Sequence, residues 1–166
     1  PALDPRAIEK MVLSAREGAL TPLQSCLLAL SSTYGLRRWE LCALTPEHLS
    51  EDEEVGLLLT IPTAKGNITR THLVPPPIKE ALTGWGFSRR VTLYGAWEAY
   101  RDIEARAGLS HSPEAGWHSL RRSLDTLLLE RVPEAIVEAF MGWSSSLSRM
   151  PKRYHKISFV GWEEER

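Results

Sequence analysis

Apolar residues recur at helical spacing in the first part of the chain and predict two core helices. Each helix begins with a capping residue followed by proline, Asp4 in the first and Thr21 in the second. Gly18 ends the first helix, and Gly35 is placed for a left-handed stop at the end of the second. A third helix is predicted to begin at about Arg37. The first two helices carry apolar faces and no candidate chemistry.

Two β-type segments follow and predict a hairpin. Residues 55–61 are apolar and sufficiently β-branched for a strand, and residues 68–74 alternate like a half-exposed strand. The turn signal at residues 63–67 lies between them and places Lys65 at the tip. Residues 75–77, three prolines, are expected to form a stiff connector.

The second half of the chain is predicted to consist of helices joined by loops. A short helix is predicted over residues 78–82 and a longer one over residues 92–107. Further helices are predicted around His118, from Pro133 onwards, and after the serines at residues 144–146. In the longer helix, the residues expected to be buried are Leu93, Trp97, Tyr100 and Ile103.

The helix around His118 is amphipathic. With about 100° per residue, the leucines at positions 120, 124, 127 and 128 form a buried stripe, whereas His118 and Arg121 lie one turn apart on a polar face. This spacing allows an imidazole and a guanidinium to reach the same anion. The chain as a whole is expected to be an α+β, mainly helical domain over residues 1–166, with a small antiparallel β-sheet or hairpin at one edge.

Composition narrows the class of protein. The chain has 166 residues, of which 43% are hydrophobic and 25% charged, as is ordinary for a soluble globular domain. No apolar run approaches the roughly 18 residues of a membrane span. The two cysteines, Cys26 and Cys42, have no CxxC partner and are expected to be free thiols in a reducing cytoplasm. The sequence offers no convincing metal cluster, and no cofactor is expected.

The formal net charge of −1 argues at face value against nucleic-acid binding, but the charges are unevenly distributed. Acidic residues cluster at positions 51–54 and 163–165, whereas residues 144–160 contain four basic residues and no acidic one. A local basic face is therefore permitted, and a local field is what an anionic polymer meets. An ordinary solvated surface explains the same pattern.

Arg37 is the first candidate for chemistry. A cation at a helix start opposes the macrodipole, which favours anions there, so this position is unusual unless an anion binds. An arginine beside free backbone N–H groups is a suitable phosphate cradle. The alternative is a surface arginine paired with Glu40.

For Lys65, at the tip of the predicted hairpin, the alternative to a role at a ligand is an ordinary solvated loop lysine.

Five sites in one order make the chain resemble the catalytic domain of the tyrosine recombinases, also called phage-type integrases. The likeness covers residues 3–157. The matching segments are Gly35-Leu36-Arg37, Lys65, His118-Ser119-Leu120-Arg121, Gly142-Trp143 and Tyr154. The family's usual residues differ at Ser119 and Arg122, and the tyrosine follows the tryptophan by 11 positions, with Pro151 between them, which is longer than in familiar members. The family's N-terminal clamp domain is not expected within this chain.

The resemblance implies metal-independent DNA cleavage and rejoining through a 3′-phosphotyrosyl intermediate. Tyr154 would be the nucleophile. Arg37 and Arg121 would hold the two non-bridging oxygens of the phosphate, because bidentate guanidinium groups suit that geometry. Lys65 would protonate the leaving 5′-oxygen, and His118 would assist proton transfer at the phenol.

The remaining implied contacts concern the phosphate and the surrounding DNA. Trp143 would hydrogen-bond the phosphate through its indole N–H or support the site. The residues expected to contact DNA are Arg38, Arg70, Arg122, Lys152 and Arg153. The implied partners are double-stranded DNA and further copies of the chain, with the segment after Tyr154 docking in trans or folding back in cis. The implied location is the cytoplasm, at the nucleoid when DNA is bound.

Three other functions stay open at this point. A nicking and rejoining enzyme of the type IB topoisomerase kind would relax supercoils without site preference. A non-catalytic DNA-binding or regulatory module would bind DNA without forming a covalent adduct. A helical scaffold with no nucleic-acid role would show no salt-dependent DNA binding.

Overall fold

A computed structural model describes residues 3–62, 69–85 and 90–141, with the side chain of Trp85 excepted. The helices in these segments are α1 (Pro5–Arg16), α2 (Pro22–Tyr34), α3 (Arg38–Ala43), α4 (Pro76–Trp85), α5 (Leu93–Arg106), α6 (Trp117–Arg131) and α7 (Glu134–Met141), with a short 3-10 turn at Pro46–His48. The strands are β1 (Leu49–Asp52), β2 (Gly56–Ile61) and β3 (Arg70–Leu73). The predicted α+β, mainly helical class is confirmed. No helix in the described part of the chain is long and apolar enough to cross a membrane.

Helix α2 is the centre of the fold and packs against α1, α4, α5 and α6. A capping box stabilises its first turn. The Thr21 hydroxyl accepts a hydrogen bond from the Gln24 N–H at 3.1 Å, and the Gln24 side chain accepts one from the Thr21 N–H at 3.0 Å. The helix ends at Gly35, which has the predicted left-handed conformation with φ of 68°. Both ends of the buried helix are therefore set by local sequence.

The three strands form one antiparallel sheet in the order β1-β2-β3. The predicted hairpin is confirmed in its strands, since β2 pairs with β3 and Ile61 lies opposite Arg70. Its loop, with Lys65, lies outside the described residues. Strand β1 was not predicted, because its sequence is short and acidic and lacks the β-branched residues on which strand prediction depends.

The prolines at residues 75–77 do not form the predicted connector. Helix α4 already begins at Pro76, and the carbonyl of Pro75 accepts from the N–H groups of Ile78 at 3.0 Å and Lys79 at 2.9 Å. Proline is tolerated in the first helical turn because the N–H that it lacks would have no partner within the helix there. The helix is therefore longer than the prediction over 78–82.

The buried face of helix α5 agrees only in part with the predicted one. Tyr100 and Ile103 are buried as expected, but Leu93 is 49% and Trp97 is 41% exposed. The guanidinium of Arg101 lies over the Trp97 ring, 5.3 Å from its centre. Small residues explain the difference, because the buried residues before and after Trp97 are Ala96 and Ala99, which allow close helix packing.

Candidate functional site

Arg37 stands at the N-terminal end of α3 in extended conformation. Its backbone N–H donates to Glu40 Oε1 at 2.7 Å, and its guanidinium Nη1 lies 3.5 Å from Glu40 Oε2. The carboxylate of Glu40 therefore holds both the main chain and the side chain of Arg37. The Arg37 side chain remains 40% exposed and accessible to a ligand.

Arg121 reaches the same turn from α6. Its Nη1 donates to the carbonyl oxygen of Gly35, and its Nη2 donates to the carbonyl oxygen of Met141 at 3.4 Å. Gly35 precedes Arg37 by only two positions, so the structure brings together the two arginines predicted to bind one phosphate. A guanidinium has five N–H donors, so two carbonyl contacts leave donors for an anion.

Arg70 lies behind this pair, in strand β3. It is 4% exposed, and its Nη1 donates to the carbonyl oxygens of Tyr34 and Phe140, the former at 2.9 Å. Its Nη2 lies 3.9 Å from Glu40 Oε1. This burial contradicts the direct DNA contact predicted for Arg70, because its guanidinium faces the protein's own backbone.

Arg70 and Arg121 together join consecutive carbonyl groups at the C-terminal ends of α2 and α7. Arg70 joins Tyr34 to Phe140, and Arg121 joins the next residue of each helix end, Gly35 to Met141. We call this arrangement the carbonyl ladder. Cations are favoured at helix C-terminal ends, where carbonyl groups have no partner within the helix.

The ladder concentrates positive charge around a single buried carboxylate. Burial lowers the pKa of Arg70 to about 9. The charge of Glu40 opposes this decrease, whereas the charges of Arg121 and Arg37 add to it. Burial also lowers the pKa of Arg121 to about 10, and the charge of Arg37 adds to this. Both values lie above neutral pH, so both groups remain cations. Three cations face Glu40, and an anion at the exposed side would relieve their repulsion.

Asp125 lies one turn after Arg121 on α6. Burial raises the pKa of its carboxyl group, and the positive charge of Arg121 opposes this. Its Oδ1 is buried and has no hydrogen-bond partner in residues 3–62, 69–85 or 90–141. A second, less stabilised carboxyl group therefore lies beside the arginines.

His118 lies one turn before Arg121, as predicted, and is exposed. Its Nε2 lies 2.9 Å from the carbonyl oxygen of Glu114, so this nitrogen is the donor in that bond. The ring is therefore bonded to the backbone just before its own helix. Arg38 and Arg122 are exposed, as a DNA contact requires.

Five predicted site residues fall outside the part of the chain that the structure describes. They are Lys65, Trp143, Lys152, Arg153 and Tyr154.

Glu40 and Arg70 are the residues whose roles sequence reasoning missed. Glu40 was expected as a surface partner of Arg37, yet it is 4% exposed. For Arg70 a signal was present, because alternation in β3 places positions 70 and 72 on the buried face. A charged residue on the core face of a strand predicts an internal partner.

Comparison with solved structures shows that the chain has the fold of the tyrosine recombinase catalytic domain. The XerA recombinase matches with a TM-score of 0.68 and 16% identity over 89% of this chain and 57% of that one. The XerH site-specific recombinase, in a pre-cleavage complex with its difH substrate, matches with a TM-score of 0.69 and 20% identity over 89% and 48%. A lambda integrase dimer bound to a COC′ core site matches with a TM-score of 0.63 and 15% identity over 95% and 50%.

At the level of sequence, no protein-family model matches the chain, and no curated protein is similar enough to be a match. The chain spans about half the length of the solved recombinases, 57%, 48% and 50% in the three cases. The likeness is therefore one of fold, and the activity has to be argued from the site.

Proposed function

We propose that this chain is the catalytic domain of a site-specific DNA recombinase or integrase, which cleaves and rejoins DNA through a tyrosine. The observation that supports this most strongly is the contact between the Arg121 guanidinium and the Gly35 carbonyl, two residues before Arg37. It brings the guanidinium of Arg121 to the turn that precedes Arg37, whose side chain is 40% exposed. The recombinase fold of the described residues agrees with this proposal.

The chemistry needs such a pair of cations. A phosphodiester repels a nucleophile, and negative charge grows on its non-bridging oxygens as a fifth bond forms to phosphorus. Arg37 and Arg121 would bind these oxygens and stabilise that charge. One fixed donor of this kind is worth on the order of 10²–10³ in rate.

The transfer step would form one bond to phosphorus and break another. The phenol oxygen of Tyr154 attacks, and the bond from phosphorus to the 5′-oxygen breaks, which leaves a 3′-phosphotyrosyl ester. His118 would assist removal of the phenol proton, because a free phenol with a pKa near 10 is mostly protonated at neutral pH. Lys65 would donate a proton to the leaving oxygen, and Trp143 would hydrogen-bond the phosphate.

The partners belong to the same proposal. Double-stranded DNA would contact the exposed Arg38 and Arg122, which follow Arg37 and Arg121 in the chain, with Lys152 and Arg153 as further contacts. Two DNA strands must be exchanged in recombination, so copies of the chain would associate on DNA, with the segment after Tyr154 in trans or in cis. Such a reaction takes place where the chromosome lies, in the cytoplasm at the nucleoid.

A covalent-adduct assay tests the proposal. The protein is incubated with a nicked duplex library of random sequence, and complexes that survive detergent are isolated and their DNA sequenced. We expect an adduct enriched in one sequence, its loss in Tyr154→Phe, and a decrease of at least about 100-fold in Arg37→Ala and Arg121→Ala. Arg101→Ala, an exposed arginine on α5, should leave the adduct unchanged.

Other outcomes identify the alternatives. DNA binding without any adduct would indicate a non-catalytic module. Adducts without sequence preference, together with relaxation of supercoiled plasmid, would indicate an enzyme of the type IB topoisomerase kind. An adduct that persists in Tyr154→Phe would overturn the assignment of the nucleophile.

A further inference from the structure

The burial of Arg70 is the feature that the proposed reaction does not itself explain. Its position in β3 belongs to the buried face of the strand, where an apolar side chain would fill the space at a lower cost of desolvation. A buried ion pair is weak evidence for stability, since an apolar pair of similar volume is often as stable. A role in positioning accounts better for a guanidinium at this place.

The first link runs through the carbonyl ladder. Arg70 fixes the distance between the end of α2 and the end of α7 through the carbonyl oxygens of Tyr34 and Phe140. The next carbonyl groups along the two chains, those of Gly35 and Met141, are the acceptors of Arg121. Arg70 therefore determines where the acceptors of Arg121 lie, and with them the direction of its remaining N–H groups.

The second link runs through Glu40. One oxygen of this carboxylate, Oε1, accepts from the Arg37 N–H at 2.7 Å and lies 3.9 Å from Arg70 Nη2. The other oxygen, Oε2, contacts the Arg37 guanidinium at 3.5 Å. Arg70 is thus the cation behind the carboxylate that orients Arg37.

We propose that Arg70 is a positioning residue, which holds Arg37 and Arg121 at the separation that one phosphate requires, without touching the phosphate. This inference rests on the proposed function for its substrate, a DNA phosphodiester, but the positioning itself can be measured without DNA. Arg70 also begins strand β3, which pairs with β2 in the hairpin. The same guanidinium therefore anchors the hairpin to the two arginines.

The variants are chosen so that folding and positioning can be separated. Arg70→Lys keeps the charge but has a single nitrogen, so it cannot both donate to the two carbonyl groups and lie beside Glu40, as Nη1 and Nη2 of Arg70 do. Arg70→Met removes the charge. Leu59→Ala serves as the control, since Leu59 is a fully buried neighbour of β3, opposite His72. It should weaken the same sheet without touching the ladder or Glu40.

The first measurement uses the protein without DNA. Side-chain Nε–H signals of Arg37 and Arg121 and the exchange rate of the Arg37 backbone N–H are recorded by NMR. We expect Arg70→Lys to shift both side-chain signals and to accelerate exchange at Arg37, and Arg70→Met to do so more strongly, whereas Leu59→Ala leaves the signals in place. Wild-type signals and exchange in Arg70→Lys would overturn the proposal, and this variant decides the question even if Arg70→Met does not fold.

The second measurement uses the adduct assay with the DNA selected above. Misplacement of a catalytic group by about 1 Å costs on the order of 100-fold in rate. We expect Arg70→Met to lower the rate of adduct formation by about 10- to 100-fold, Arg70→Lys by less, and both to bind the DNA within about twofold of wild type. An equal loss in Leu59→Ala would show a merely structural role. If wild type forms no adduct but the NMR effects appear, the proposed function fails and the positioning role stands.

Discussion

Arg121 donates a hydrogen bond to the carbonyl oxygen of Gly35, a residue 86 positions away in the chain. The contact can form because α2 ends in a left-handed glycine whose carbonyl group has no partner within the helix. Arg37 follows two positions later and is held by Glu40. The C-terminal end of α2 therefore brings Arg121 close to the segment that contains Arg37.

This relationship predicts that Gly35→Ala destabilises the protein strongly. At φ of 68° an added Cβ is strained, and it would lie 2.9 Å from Met141 Cε and 3.0 Å from Leu124 Cδ2. We expect a loss of about 2–4 kcal/mol in the free energy of unfolding, which combines about 1–2 kcal/mol for the backbone with overpacking of the core. Urea denaturation measures it.

Gly108→Ala is the matched control. Gly108 has a similar φ of 74°, but an added Cβ there meets nothing within 4 Å. Its cost should be the backbone term alone, about 1–2 kcal/mol. Equal losses in the two variants would show that close packing at Gly35 contributes nothing.

The pairing of Arg70 with Glu40 predicts non-additive stability changes. Arg70→Met leaves two buried carbonyl groups without their donor and removes one of the three cations that face the buried Glu40 carboxylate, so we expect a loss of about 3–5 kcal/mol. Glu40→Gln removes the carboxylate charge, and the double variant should cost less than the sum of the single variants by about 1–3 kcal/mol. Denaturant unfolding of all four proteins gives this difference, and strict additivity would rule out direct coupling.

Local signals in the sequence were sufficient for the helix ends and for the shared polar face of α6. Thr21 and Gly35 terminate α2 as predicted because capping depends on residue type over a few positions. The spacing of His118 and Arg121 follows from helix geometry alone. The meeting of Arg121 with the turn before Arg37 was suggested by the family likeness and could not be derived from periodicity.

Tertiary contacts explain what the sequence did not reveal. Trp97 was expected in the core because it is large and apolar, but the buried residues next to it on α5 are Ala96 and Ala99, and Trp97 lies under Arg101 at the surface. Arg70 was expected at the surface because it is charged, but the acceptors that allow its burial come from α2, α3 and α7. These acceptors lie far from Arg70 in the chain, so the sequence around Arg70 does not reveal them.

Asp125 predicts a specific dependence of stability on pH. Burial raises the pKa of its carboxyl group above the ordinary value of 3.8, so the folded protein binds the proton more tightly than the unfolded chain does. The stability that this proton supplies is present below pH 4 and is lost as pH rises through the pKa of the folded state. Asp125→Asn cannot ionise, so its free energy of unfolding relative to wild type should increase from pH 4 to pH 7.

Asp102→Asn provides a control with the opposite sign. The hydrogen bond from Gln24, at 2.6 Å, and the contacts with Arg106 lower the pKa of Asp102. Its ionised form therefore stabilises the folded protein, and the variant should be less stable than wild type at pH 7, with a difference that shrinks as pH falls below 4. Urea denaturation at pH 4 and pH 7 measures the Asp125 pair, and urea denaturation at pH 7 and below pH 4 measures the Asp102 pair. The same trend with pH in both variants would contradict these assignments.

The exposed arginines beside the site predict the salt dependence of DNA binding. If Arg38 and Arg122 each neutralise a DNA phosphate, replacement of either by alanine should weaken binding to all sequences alike and reduce the slope of log K against log salt by about 1. Arg101→Ala should leave the slope unchanged, because that side chain lies over Trp97 on α5. Fluorescence anisotropy with a labelled duplex between about 50 and 200 mM salt gives the slopes. An unchanged slope in both Arg38→Ala and Arg122→Ala would show that neither side chain neutralises a DNA phosphate and would overturn both predicted contacts.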